Sequence, residues 1–70
     1  MILEIHCSNL RVGDLILTRY VQALILEIGS EFKEVRKVSV FRAFSTGEKK
    51  YDIYEYGLNN NSTFTVIRCI

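Results

Sequence analysis

The 70-residue chain has no proline and no tryptophan, a single histidine, two cysteines and four glycines. Without proline a sheet edge loses one of its common guards, so Lys, Arg and Glu must discourage edge-to-edge pairing. One histidine and two cysteines near opposite ends, Cys7 and Cys69, are too few and too scattered for a metal centre. No glycine-rich loop is present to cradle a phosphate, and no cofactor is expected. No basic segment followed by an apolar run and a cleavage site is visible, so the expectation is a cytoplasmic chain with two free thiols. The apolar run 15–28 is interrupted by Arg19, Gln22 and Glu27 and falls short of the roughly 20 residues of a membrane span. Apart from Asn59, Asn60 and Asn61 there is no low-complexity segment, and no internal repeat.

Net charge is +1, too small to steer the whole molecule towards nucleic acid or acidic lipid. Its distribution is uneven. Between Lys33 and Lys50 stand six basic residues and two acidic ones, giving +4, while the rest of the chain holds three basic and six acidic residues, giving −3. The plain reading of that basic middle is a solvated hairpin.

What is present is apolar and β-favouring. Hydrophobic residues make up 49% of the chain, and Val, Ile, Phe and Tyr suit a pleated, half-buried surface. A single domain over residues 1–70 follows from the length; a chain of this size buries only about 60% of its unfolded surface, so its core must be dense. Met1–Cys7 alternates as a strand, and Ser8–Asn9 signals a turn. Gly13–Asp14 forms a strand entrance, with the Asp14 side chain free to bond nearby backbone. Leu15–Thr18 and Val21–Ile28 read as two strands turning near Arg19–Tyr20, ended by Gly29–Ser30. Val35–Phe44, Tyr51–Tyr56 and Thr63–Ile70 read as three more, with a turn at 45–48. A helical stripe through Val21, Leu24, Ile25, Ile28, Phe32 and Val35 competes with the strand reading of 21–35, but it would place Gly29 mid-helix at a cost of about 1 kcal/mol. A short helix or 3₁₀ turn is admitted near 30–37 or 57–61. Leu24, Ile25 and Leu26 are apolar on both faces, which suits a central strand of the core rather than an edge.

The elements Val12-Gly13-Asp14-Leu15-Ile16, Ala23-Leu24-Ile25-Leu26-Glu27-Ile28, Val38-Ser39-Val40-Phe41 and Thr65-Val66-Ile67 fall in an order that resembles SH3-like barrels, in particular the short SH3-like proteins of tailed bacteriophages. The resemblance implies a mainly β protein, a small antiparallel barrel of five to six strands with its first and last strands close together. It implies binding to peptide, protein or nucleic acid, and the host cytoplasm as location if the chain is phage-encoded. Peptide-binding SH3 domains carry a tryptophan that this chain lacks. RNA-binding barrels of the KOW type follow Gly-Asp with a glycine-spaced loop, absent from Thr18–Gln22. A Tudor-like cage needs aromatics converging on one mouth. No family function transfers residue by residue.

Catalysis finds no constellation. On a strand His6 and Cys7 face opposite sides and cannot meet, and Asp52 and Glu55 do likewise, so no enzyme is expected. If Met1 pairs near Ile70, Cys7 lies opposite Phe64 and the two thiols stand on the order of 16 Å apart, beyond disulfide reach. Asn60-Asn61-Ser62 and Asn61-Ser62-Thr63 match the glycosylation pattern but read as turn chemistry. One surface remains as a candidate: Arg36, Lys37, Arg42, Lys49, Lys50, Tyr51, Tyr54 and Tyr56, with Phe41 and Phe44. Cations and rings so mixed can grip single-stranded nucleic acid, and tyrosines serve protein interfaces equally well. A pI near 7.8 is below that of a dedicated nucleic-acid binder. The favoured reading is a non-catalytic protein-binding module, self-association included and plausible as a phage accessory or structural protein; the alternative is nucleic-acid binding through the hairpin at 36–56. No membrane or small-molecule partner is expected.

Overall fold

The computed structural model of the chain describes residues 1–44 and 50–69. Six strands follow one another: β1 (Ile2–His6), β2 (Leu15–Leu17), β3 (Val21–Phe32), β4 (Val35–Phe44), β5 (Tyr51–Asn59) and β6 (Thr63–Ile67). They form one antiparallel sheet in the order β1-β6-β2-β3-β4-β5. The mainly β antiparallel architecture expected from the alternation is therefore present, with the chain's two ends paired through β1 and β6. The sheet is not closed, and β1 and β5 are its edges. The turn expected at 45–48 lies outside the described residues.

Turn chemistry accounts for the connections. The Thr18 hydroxyl accepts from the Val21 N–H and donates to the Val21 carbonyl, so the chain reverses at Arg19–Tyr20 as its pattern predicts. The Asn59 side chain accepts from the Asn61 N–H, which tightens the link from β5 to β6. Gly13, at φ +94, takes a conformation that other residues rarely adopt. It leads into Asp14, whose side chain accepts from the Arg11 N–H.

Four expectations are corrected. Gly29–Ser30 does not end a strand, because β3 continues to Phe32 and pairs with β4 as far as Phe32↔Val35. That hairpin leaves no helix at 30–37, and 57–61 is strand and turn; among the described residues the one short 3₁₀ helix is at Cys7–Asn9, capped by the His6 side chain. The end strands pair two residues away from the expected register, with Ile2↔Ile67, and the Cys7 N–H donates to the Ser62 carbonyl. Finally, Leu24 and Leu26 are exposed although Ile25 between them is buried. Among the described residues no second layer covers the outer face of β3.

The inner face carries the core: Cys7, Leu10, Ile16, Ala23, Ile25, Val38, Val40 and Val66, with Leu3, Ile5, Ile28, Tyr56, Leu58 and Phe64 packed against it. Burial this complete within one sheet requires the sheet to curl over its own inner face. A shift in pairing between Ile25 and Glu27 marks a bulge, which bends and twists a strand. Side chains from both halves of the curled sheet, Phe64, Ile16 and Ala23 of β6, β2 and β3 on one side and Tyr56 and Leu58 of β5 on the other, line an apolar hollow of about 190 Å³.

Candidate functional site

Strand alternation divides the basic and aromatic residues between two faces. Inner positions of β4 and β5 run Arg36–Leu58, Val38–Tyr56, Val40–Tyr54 and Arg42–Asp52; outer ones run Lys37–Gly57, Phe41–Ile53 and Ala43–Tyr51. Arg36, Arg42, Tyr54 and Tyr56 thus point inward, whereas Lys37 and Tyr51 point outward. Lys50 precedes β5 and is exposed, and Lys49 lies outside the described residues. The constellation drawn from sequence is not one surface.

Three of its basic groups, Arg42, Arg36 and Lys37, are also engaged with carboxylates. Arg42 Nε and Nη2 donate to Asp52 at 2.8 and 2.6 Å, and Nη1 donates to the Tyr56 hydroxyl at 3.1 Å. Its guanidinium lies 3.9 Å from the Tyr54 ring centre, 4.9 Å from Phe44 and 5.4 Å from Tyr56. Hydrogen bonds to Asp52 and then Tyr56 hold it still more firmly in the charged form, so Arg42 offers no proton chemistry. The aromatics do converge, and what they enclose is the chain's own arginine. Arg36 pairs with Glu31 at 3.5 Å and Lys37 with Glu55 at 3.9 Å.

A surface that the sequence reading missed runs across the outer face. Direct cross-strand partners place Ile2, Ile67, Leu15, Leu24, Phe41 and Ile53 in one row over all six strands. Leu15 is half-buried and the other five are exposed, Ile53 at 71%. Tyr51 stacks on Phe41 with ring centres 5.8 Å apart and extends the row at the β5 end. Exposed apolar patches of more than a few hundred Å² are uncommon on monomers and mark contact sites. The signal was there in sequence: Leu24 to Leu26 and Val38 to Phe44 keep apolar residues on both faces. For Leu24 to Leu26 that doubling reads as a central strand of the core; β3 is central, but one of its two apolar faces is exposed.

The remaining reactive groups stand apart. His6 is exposed and its Nδ1 lies 2.8 Å from the Ser8 hydroxyl. Cys7 is buried, and burial pushes its thiol pKa up. Cys69 is exposed, and both cysteines are free. Among the described residues no group of three or more His, Cys, Asp or Glu is placed to hold a metal ion, and no helix is long and apolar enough to cross a membrane. Comparison with protein-family models, with curated proteins and with solved structures finds no match in any of the three.

Proposed function

We propose that the chain is a non-catalytic protein-interaction module that makes contact through the outer face of β3, β4 and β5, centred on Leu24, Phe41, Tyr51 and Ile53. The observation that carries this reading is the exposed apolar row. Non-obligate contacts are built from such aromatic and aliphatic centres within a polar rim, and Lys37, Glu27 and Glu55 supply polar neighbours on the same face. The SH3-like affiliation, a phage accessory or structural role and a cytoplasmic location belong to the same proposal. Six antiparallel strands in a 70-residue chain, with the first and last strands paired, support the first of these. Nucleic-acid binding is the weaker reading, since Arg36, Lys37 and Arg42 each have a carboxylate partner.

The test is affinity capture from a lysate of the source organism over a salt series, with a Phe41→Ser/Tyr51→Ser variant alongside. A specific protein is expected to be retained at physiological salt, to be lost from the variant, and to be accompanied by no affinity for mixed-sequence oligonucleotides. Oligonucleotide binding that falls steeply with salt, and weakens when Arg42, Lys49 and Lys50 are neutralised, would overturn the proposal.

A further inference from the structure

We infer that β5 is a self-association edge. Two copies join antiparallel along it, with Ile53 facing Ile53 of the second copy, so that two six-stranded sheets become one. The inference rests on the protein-contact reading above and names its partner.

Three observations carry it. The first is the edge itself. β5 is nine residues long, and among the described residues it pairs only with β4. The other edge, β1, has five residues and includes Glu4 and His6. Long edges need guarding by proline, lysine or inward charge. The chain has no proline, and no lysine or arginine lies between Tyr51 and Asn59. The two charges on β5 are drawn back onto β4, Asp52 by Arg42 and Glu55 by Lys37.

The second observation is charge matching along the strand. Antiparallel partners share a face, so a two-fold pairing must centre on one residue. Centring on Asp52 or Glu55 sets like carboxylates opposite each other, which is destabilising. Centring on Tyr54 places the exposed Ile53 against Glu55. Centring on Ile53 sets Tyr51 against Glu55 and Asp52 against Tyr54 and opposes no like charges; centring on Tyr56 opposes none either, but of these two only the Ile53 register sets the exposed outer row against itself.

The third is continuity. In that register the outer row Leu24–Phe41–Ile53 runs across the two-fold axis into Ile53, Phe41 and Leu24 of the second copy. Both copies use the same residues, so the contact is isologous and closes at two chains. A net charge of +1 per copy opposes the union little.

Sedimentation equilibrium of the full chain up to millimolar concentration tests this. A monomer–dimer equilibrium with no larger species is expected. Ile53→Lys sets two cations face to face and is expected to weaken the dimer by about tenfold or more, with an unchanged circular dichroism spectrum because the side chain is exposed. In a Cys69→Ser background, Ile53→Cys is expected to oxidise to a disulfide-linked dimer, since direct antiparallel partners have Cα atoms about 4.5–5.5 Å apart; Ile2→Cys is not. A chain that stays monomeric overturns the inference, as does a dimer indifferent to Ile53→Lys or cross-linked through Ile2→Cys. A monomer that still captures a host protein through Phe41 and Tyr51 removes self-association and leaves the interaction module standing. A dimer that captures nothing supports the inference and removes the external partner.

Discussion

Asp14 is 1% exposed, and its carboxylate ties the loop before β2 to the segment that follows β6. Its carboxylate accepts from Arg68 Nε at 2.8 Å and Nη2 at 2.7 Å, and from the Arg11 N–H at 2.9 Å. Arg68 Nη2 also donates to the Asn9 carbonyl. The hydrogen bonds from Arg68 hold the Asp14 pKa below its ordinary value against the opposing effect of burial. A carboxyl with a depressed folded-state pKa stabilises the fold above the unfolded value of about 3.9 and loses that contribution as pH falls through the folded value. Urea midpoints should therefore fall below about pH 4 in the native chain. Asp14→Asn should cost about 2 kcal/mol at neutral pH and flatten that acid limb. A midpoint equally acid-sensitive in the variant would place the titrating group elsewhere. Half of this arrangement was legible in sequence, because an aspartate at a strand entrance bonds nearby backbone. The other half was not: Arg68 lies 54 residues away, and only the pairing of β6 with β2 brings it there.

Among the elements, the β3–β4 hairpin departs furthest from its sequence pattern. Gly29 and Ser30 read as an end, yet they lie within a twelve-residue strand, at a shift in pairing between Ile28↔Val38 and Glu31↔Arg36. A glycine weakens a strand without forbidding it, and here the backbone also comes close, since a Cβ at Gly29 would lie 3.2 Å from the Lys37 carbonyl oxygen. The reversal happens at Lys33–Glu34, between the paired Phe32 and Val35. Lys33 is left-handed there, at φ 56. Two-residue hairpins favour glycine where φ is positive, and a side chain in that region costs roughly 1–2 kcal/mol, part of which the greater freedom of unfolded glycine cancels. Lys33→Gly is expected to stabilise the protein by about 0.5 kcal/mol, raising Tm by about 3 °C in a calorimetric scan. An unchanged or lowered Tm would mean that the Lys33 side chain, whose ammonium lies 5.6 Å from the Phe32 ring centre, contributes more than its backbone costs.

For the whole molecule the governing fact is how few residues sit inside. Of the fully buried side chains, Ile25, Val38, Val40 and Val66 come from β3, β4 and β6 and Cys7 and Asp14 from the segment between β1 and β2; Ile25 is 1% exposed. A core in a chain this short supplies rarely more than about 3–5 kcal/mol of net stability, while truncating a buried isoleucine to alanine removes about 2–5 kcal/mol. Ile25→Ala is therefore expected to leave much of the chain unfolded at 25 °C, seen as loss of the β signal in far-UV circular dichroism. A folded variant would show that the curled sheet can collapse around the space left behind. Extending the sheet through a second copy would add to this small margin and make Tm rise with protein concentration.

The succession of strands along the chain and the turn at Arg19–Tyr20 were written locally, because side-chain alternation and turn residues act over a few positions. The two edges, the bare outer row and the sequestering of Arg42 were not. Alternation says that Leu24 and Ile25 face opposite ways, but not which face another layer will cover, and it gives Arg42 an inward position without revealing Asp52 directly across from it. Those outcomes belong to the neighbours each strand acquires. Only the tertiary pairing turned a sequence without proline into a sheet with an unguarded β5.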